Sequence, residues 1–519
     1  MGLTLGLDVG SSVAKAALYD SDMVELATAA RPVLQDRSRA GHVEYDALGV
    51  QDSVVALIAD VAANAGVAPA AIGAIGISAA MVGGVLVDAG NRPLRPAINW
   101  EDARAHGLIE RIVAQDPSAL SRIFRSSGCV LQQGCTLPVL AALAATEPEV
   151  VARAYAFVSL KDHIRAWLTG GIGADRTEAA VGPGSAERRD RSPAMLELFG
   201  LGSLAHLLPT VEESEAVGGQ VTPAAAAITG LRAGTPVAVG AGDVPCSVLG
   251  AGGWNTGRAT MILGTTAMVG QSFAQPVFEP PDLGLLFTLP GKRWFRAMVN
   301  VAGTMNLDWA LATLAPDLVA SADPFARLEE RAAQSPIGAA GVSFLPYLSD
   351  SGIIAPVIDP EARAGFAGLA PRHRPQDMLR AVYEGVAFSL VDLLDLTGFS
   401  GERIMLVGGG ARSTLWPRMI ADITGKAVDL FDGREFGARG AALLARVAVG
   451  ELPDIGAAAA LVPPLRATVL PDPSCHAAYA LARQTFRRHR QRMLGRAHCR
   501  VVSEELPILR DDGKTHLPE

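Results

Sequence analysis

The stretch Leu7-Asp8-Val9-Gly10-Ser11-Ser12-Val13-Ala14-Lys15 decides how the rest of the chain is read. Apolar runs flank a Gly/Ser turn, Thr4 to Val9 before it and Val13 to Tyr19 after it, the pattern of two strands joined by a tight turn. The pattern returns at Met261-Ile262-Leu263, Gly264-Thr265-Thr266 and Ala267-Met268-Val269. An apolar run, a small hydroxylic turn and a second apolar run, met twice, imply two related α/β halves. The echo is a loose pattern and not a repeat of fixed period.

Working outward, helical spacing of Val50, Val54, Val55, Ile58 and Val61 predicts a helix over 48–65, followed by strands at 72–78 and 84–88. The middle reads as helical over 137–145 and again, without interruption, over 147–168, with Gly170-Gly171 as the stop. Residues 181–196, Val-Gly-Pro-Gly-Ser and then a charged run, read as an exposed loop. Thr235 to Val239 is a short apolar strand that ends at Gly240-Ala241-Gly242-Asp243. A helix over 377–396, a strand over 404–407, the turn Gly408-Gly409-Gly410 and a helix over 415–423 follow. Residues 451–519 hold a Pro-rich connector, a basic helix over 477–493 and a polar tail from about 495. Arg487, Arg488, Arg490 and Arg492 on that helix read as a solvated face.

Composition bounds the function. Apolar residues make up 49% and charged ones 19%, which excludes intrinsic disorder. With 45 basic and 53 acidic residues the net charge is −8, so the chain lacks the footprint of a nucleic-acid binder. No run approaches a membrane span and the first strand lacks a basic leader, so the expected compartment is the cytoplasm. Five scattered cysteines read as ordinary reduced thiols.

Several short constellations carry chemistry. Gly10, Ser11, Ser12 and Lys15 offer backbone N–H groups, hydroxyls and a cation to phosphate oxygens, and Asp8 suits a hydrated Mg²⁺. A plain hairpin turn uses the same residues, and no P-loop motif is present. Gly264, Thr265 and Thr266 make a second clamp of the same type. Asp243, a carboxylate just beyond a strand tip, stands where open α/β sheets bind ligands and can take the proton of an attacking hydroxyl. Capping the following turn is the plainer use. Trp100-Glu101-Asp102-Ala103-Arg104 suits a polyol, with a ring over C–H faces and carboxylates accepting from hydroxyls, although tryptophans are often core and Asp–Arg pairs often surface bridges. Gly408-Gly409-Gly410-Ala411-Arg412-Ser413 half-matches a dinucleotide fingerprint, because Asp429 lies 19 residues beyond Gly410, but Ser413 stands where the third glycine belongs.

In order along the chain, these motifs resemble the FGGY family of carbohydrate kinases, a branch of the sugar kinase, heat-shock ATPase and actin superfamily. The likeness runs from about residue 3 to about residue 450. It includes Gly76-Ile77-Ser78, Leu94-Arg95-Pro96-Ala97-Ile98, Lys161-Asp162, Leu168-Thr169-Gly170, Gly234-Thr235-Pro236-Val237, Phe344-Leu345-Pro346-Tyr347-Leu348 and Glu384-Gly385-Val386-Ala387-Phe388. The resemblance implies two ribonuclease-H-like α/β domains flanking an interdomain cleft. It implies an N-terminal domain over 1–252 with the sugar side and the catalytic Asp, a nucleotide-side domain over 253–450, and a C-terminal helix and tail over 451–519. It implies an ATP-dependent kinase of a ketose or polyol primary hydroxyl, with ATP and Mg²⁺. Asp243 would be the base and a sugar contact, and Asp8 a water-mediated metal contact. Gly264, Thr265 and Thr266 would line phosphates, Gly409, Gly410 and Ala411 adenosine, and Asp308 the nucleotide. Met81, Val82, Trp100 and Asp102 would face the sugar. A homodimer fits such an enzyme, with no nucleic-acid or membrane partner.

Two departures bear on the substrate. Xylulose kinases carry Gln-Met-His where this chain has Ala80-Met81-Val82, which removes two polar sugar contacts. The spacing Ser349 to Gly352 looks more like the polyol and L-ketose branches. Two rivals from other classes are an actin- or chaperone-like nucleotide switch, which has no use for Trp100-x-Asp102-x-Arg104, and a dinucleotide oxidoreductase built on 404–432.

Overall fold

The opening alternation forms the predicted hairpin, β1 (Leu3–Val9) and β2 (Val13–Tyr19), antiparallel with Asp8 opposite Lys15. The computed structural model describes residues 2–349 and 352–494; the polar tail expected from 495, with Cys499, lies outside the described residues. The chain next forms β3 (Glu25–Pro32), α1 (Ala47–Asn64) and β4 (Ile72–Ala79), then α2 (Leu160–Thr169) and α3 (Arg176–Val181). After these come β5 (Val217–Gln220), β6 (Pro236–Ala238), β7 (Ala241–Gly242) and α4 (Asp243–Ala251). The strands make one mixed sheet in the order β5-β6-β4-β1-β2-β3, with β7 also on β4. β4 runs parallel to β1, so the tips of β1, β4 and β7 end at the same edge. Asp8 and Asp243 sit at that edge because each ends or follows a strand of this set.

The second set of elements repeats the first. β8 (Ala259–Leu263) and β9 (Ala267–Phe273) form the second hairpin, then come α5 (Met305–Leu314), α6 (Pro324–Ala332) and α7 (Pro375–Leu396). β10 (Arg403–Val407), α8 (Trp416–Thr424) and β11 (Ala427–Phe431) precede α9 (Phe436–Ala448), β12 (Leu465–Val469) and α10 (Pro473–Leu494). The sheet has seven strands: Leu285–Leu289 and Arg293–Asn300 come first, and the order continues β9-β8-β10-β11-β12, with β10 parallel to β8. A hairpin whose first strand takes a parallel neighbour on its other side thus occurs in both sheets, as the two echoing turns predict.

The chain divides into two compact units. The first gathers Met1–Thr256, Ser272–Arg296 and Asp432–Pro464; the second gathers Gly257–Gln271, Ala297–Phe431 and Leu465–Glu519. Helix α9 therefore belongs to the first unit. It lies directly on the sheet because Gly6 and Gly76 present no side chain: a Cβ on either would sit 1.9 or 1.8 Å from the carbonyl oxygen of Ala438 or Ala441. α1 is long and apolar enough by length and composition to cross a membrane. Here its Val50, Val54, Leu57, Ile58 and Val61 join the core of the first sheet with Leu5, Leu7, Ile75 and Ile77.

Three sequence expectations fail for physical reasons. The single helix over 147–168 is a short helix Pro148–Arg153, a strand Ala156–Val158 and then α2. The apolar triplet Ala156-Phe157-Val158 pairs with Val85–Val87, and this long-range ladder outweighs helical spacing. The loop over 181–196 is largely buried, not exposed, because Trp294 donates to the Ala186 carbonyl (2.8 Å) and Arg189 donates to that of Leu289 (3.2 Å). The basic face of α10 is not simply solvated. Arg483, Arg487 and Arg490 converge on the buried carboxylate of Asp392 in α7.

Burial alone would raise the Asp392 carboxyl, but Arg483, Arg490 and Arg487 overcome it and hold its pKa below the ordinary value. This stabilisation is present above the ordinary carboxylate pKa of about 3.9 and is lost as pH falls through the lower folded value. Asp392→Ala leaves three guanidinium groups facing one another, so we expect a loss of about 3–5 kcal/mol. Thermal melting at neutral pH measures it; an unchanged Tm would show that α10 is held by its apolar contacts alone.

Candidate active site

In the first unit, Asp8 is the last residue but one of β1 and is half-buried. The Ser78 hydroxyl donates to Asp8 Oδ1 at 2.8 Å. The other oxygen faces Gly437, the second residue of α9, where a Cβ would lie 2.3 Å from Oδ2. Only glycine leaves room for this carboxylate. Burial raises its pKa, with the Ser78 bond and Lys15 opposing.

Asp243 opens α4. It takes the N–H of Val244 on Oδ1 at 2.8 Å. Burial pushes its carboxyl up to about 7, and the charge of Asp8 adds to the effect. A buried carboxyl raised further by a neighbouring carboxylate at the same sheet edge is well matched to a cation or a proton in transit. A carboxyl raised in this way takes up a proton more readily than an ordinary aspartate, as a general base requires.

The first turn is pinned from several sides. Gly10 N–H donates to the Val13 carbonyl (3.1 Å), and Val33 N–H donates to that of Ser12 (2.8 Å). Gln35 holds the Ser11 carbonyl at 2.8 Å. The Trp100 indole N–H donates to Ser11 Oγ at 2.9 Å, which joins this turn to the residue expected at the sugar. Lys15 is not a free cation, because its Nζ lies 2.8 Å from Glu435 Oε2. Met81 and Val82 are buried, and Met81 packs where a Gly242 side chain would stand.

Asp102 is committed to the framework. Its Oδ1 accepts from Arg104 N (2.9 Å) and Nε (2.8 Å), and its Oδ2 from Val43 N (2.8 Å) and Arg104 Nη2 (2.9 Å). Four acceptances fill a carboxylate. Burial would raise its pKa, but the Arg104 bonds hold it low. Arg104 in turn reaches Glu44, which also takes Arg95.

In the second unit the Gly264-Thr265-Thr266 turn docks on the segment before α5. Gly303 N–H donates to the Thr265 carbonyl and Thr304 N–H to that of Gly264, both at 2.7 Å. Thr265 and Thr266 stay exposed. Asp308, Gly409 and Gly410, far apart in sequence, line one cavity of about 590 Å³ with Phe325, Glu329 and Ser413. Gly408 and Gly410 are explained by packing: a Cβ on either would enter Leu263. Only Gly409 is open, with nothing within 4 Å of its added Cβ. Ala411 is buried and gives its carbonyl to Arg466 (2.6 Å). Asp429 is buried on β11 and bound by Arg403 and Thr468, so its carboxylate is not left for a ribose.

Family models match both halves of the chain: the N-terminal domain of the FGGY family of carbohydrate kinases over residues 3–250, the C-terminal domain over 259–449. The chain belongs to the FGGY family of carbohydrate kinases. It is 34% identical over 435 residues to a xylulose kinase of Escherichia coli K12, covering 81% of this chain and 85% of the relative. It is 30% identical over 468 residues to an erythritol kinase of Brucella abortus, covering 87% and 88%. The solved structure of a xylulose kinase from Rhodospirillum rubrum matches with a TM-score of 0.83 at 26% identity, over 95% of this chain and 99% of that one. The fold is that of the two-domain sugar kinases, and the protein is a phosphotransferase that uses ATP and acts on a sugar hydroxyl. The dinucleotide reading, which needed a free Asp429, falls.

Sequence reasoning missed Thr177 and Glu178, which bind the backbone of Gly242 and Val82. Their signal was faint. Asp175-x-Thr177 marks a helix start, and nothing local says that the helix touches a strand tip far along the chain.

Proposed function

We propose that this chain transfers the γ-phosphoryl group of ATP to a primary hydroxyl of a ketose or polyol, with Asp243 as the base. What carries the reading is the Asp243 carboxyl at the head of α4, pushed up to about 7 beside Asp8. The acceptor hydroxyl gives its proton to Asp243 as its oxygen takes the phosphoryl group, and ADP leaves. Proton loss is late in such transfers, so orienting the nucleophile counts for more than basicity. The first unit carries the acceptor, with Met81, Val82 and Trp100 as its wall and Asp243 as the base. The second carries the nucleotide, with Gly264, Thr265 and Thr266 on its phosphates and Asp308, Gly409 and Gly410 in the cavity around its nucleoside. Ala411 supports that cavity through its backbone and does not line it. Gly10, Ser11 and Ser12 shape the turn, and Lys15 acts through its pair with Glu435.

Ser78 engages only Oδ1 of Asp8, and the carboxylate would offer Oδ2 to Mg²⁺, which takes one or two carboxylates and keeps its waters. Bound there, Mg²⁺ supplies charge neutralisation on the triphosphate. We place the enzyme in the cytoplasm, where ATP is available.

The family resemblance and the relatives named for xylulose and erythritol define the acceptors to try. ADP release measured over D-xylulose, L-xylulose, erythritol and related polyols should rise saturably with at least one. Turnover that no acceptor stimulates would overturn the proposal.

A further inference from the structure

Helix α3 is short, yet it and its cap grip both loops of the candidate site in the first unit. Asp175 caps the helix by accepting from Thr177 N–H at 2.7 Å, and it also takes the Thr177 hydroxyl proton. That donation leaves the lone pairs of Thr177 Oγ1 for Gly242, whose N–H donates to it at 3.0 Å. The next residue, Glu178, accepts the N–H of Val82 on Oε2 at 3.0 Å. Behind them Lys161 Nζ stands 3.2 Å from Asp175 Oδ2 and donates to Asp162 (2.6 Å) and to the Val239 carbonyl (3.0 Å). Lys161, Asp175, Thr177 and Glu178 are all buried.

These ties differ from ordinary core packing in what they hold. Gly242 precedes Asp243 directly, so a shift of its amide moves the carboxylate with it. Val82 has a φ of 58°, a left-handed conformation that is strained for a β-branched residue. Its amide is captured by a buried carboxyl group whose second oxygen has no partner among the described residues. An apolar residue would fill either position without burying polar groups, but it would fix neither amide. Strain and buried polarity meet where the base and the acceptor wall must keep one geometry.

We infer that Thr177 and Glu178 are positioning residues of the phosphoryl transfer, Thr177 fixing the Gly242-Asp243 backbone and Glu178 fixing the Met81-Val82 loop. The inference rests on the reading of Asp243 as the base. Misplacement of a reacting group by about 1 Å costs on the order of 100-fold in rate.

The test compares Thr177→Val, Thr177→Ser and Glu178→Leu with the parent, by acceptor-dependent turnover and by hydrogen exchange of individual amides. In Thr177→Val, kcat should fall by at least about 10-fold with KM for ATP unchanged. Its Gly242 amide should exchange faster, while the amides of β1 keep their protection. Thr177→Ser, which restores the hydroxyl, should match the parent on both counts. Glu178→Leu should speed exchange at Val82 and raise KM for the acceptor. Parent-like kcat or parent-like Gly242 exchange in Thr177→Val overturns the inference, as does equal impairment of Thr177→Ser. Should Thr177→Val fail to fold, Glu178→Leu decides by its Val82 exchange and acceptor KM. A parent with no acceptor-dependent turnover overturns the reading of Asp243 and this role with it; a parent that turns over beside an unimpaired Thr177→Val overturns this role alone.

Discussion

Asp243→Asn should lose about 10²- to 10⁴-fold of acceptor-dependent turnover, keep its nucleotide affinity within a few-fold, and melt at a higher temperature than the parent. The loss follows from the proton: an amide cannot accept it, and the second-unit cavity proposed for the nucleotide contains no part of residue 243. The gain in stability follows from the same burial that makes the base. The folded carboxyl titrates near 7 and the unfolded one near 3.8. Between those values the native state binds the extra proton, so the parent loses stability as pH rises from about 4 to about 7. The loss reaches at most about 4 kcal/mol above pH 7. Asparagine has no charge to bury. The two proteins should therefore melt together near pH 4 and diverge toward pH 8, with the variant higher. In the parent, kcat/KM should fall on the acid side with its limb at or below about 7, because a cation at Asp8 favours the ionised form. A variant that turns over like the parent, or melts lower at pH 8, would remove Asp243 from the chemistry.

Gly76→Ala should abolish the folded state. The added methyl carbon would stand 1.8 Å from the Ala441 carbonyl oxygen and 2.3 Å from its carbon, both backbone atoms of α9. No rotamer relieves a Cβ clash, so the helix must leave the sheet. α9 cannot move freely, because Gly440 lies against the Cys246 carbonyl of α4 and Gly6 against that of Ala438. Overpacking of a close-packed interior usually costs about 1–3 kcal/mol, and a clash with backbone on several sides belongs to the exceptional class above about 4–5 kcal/mol. Soluble yield and the far-UV melting curve report the outcome. Gly202→Ala, where nothing lies within 4 Å of the added carbon, is the control and should melt like the parent. A cooperative melt of Gly76→Ala at the parent's temperature would contradict the packing described here.

The parts of this molecule legible in the sequence are those whose signal is local. Both hairpins announce themselves by alternation around small turns, and the strand tip before Asp243 by an apolar run and flexible glycines. What escaped the sequence depends on partners far along the chain. Lys15 looks free for phosphate until Glu435 is seen beside it. Asp102 looks available to a sugar until Val43 and Arg104 fill it. The charged run at 187–191 suggests solvent, yet Arg189 is buried against a backbone carbonyl. The glycines at 408 and 410 suggest a ligand, and the Leu263 side chain and backbone explain them. In each case composition reports polarity or smallness correctly, and only the fold says what those properties are used against.

The most direct measurement is the ³¹P NMR spectrum of the full-length enzyme turning over ATP with the acceptor that stimulates it best. Transfer to a primary hydroxyl predicts a new phosphomonoester resonance, split into a triplet by the two methylene protons, growing in step with ADP. Inorganic phosphate as the sole product would contradict the account.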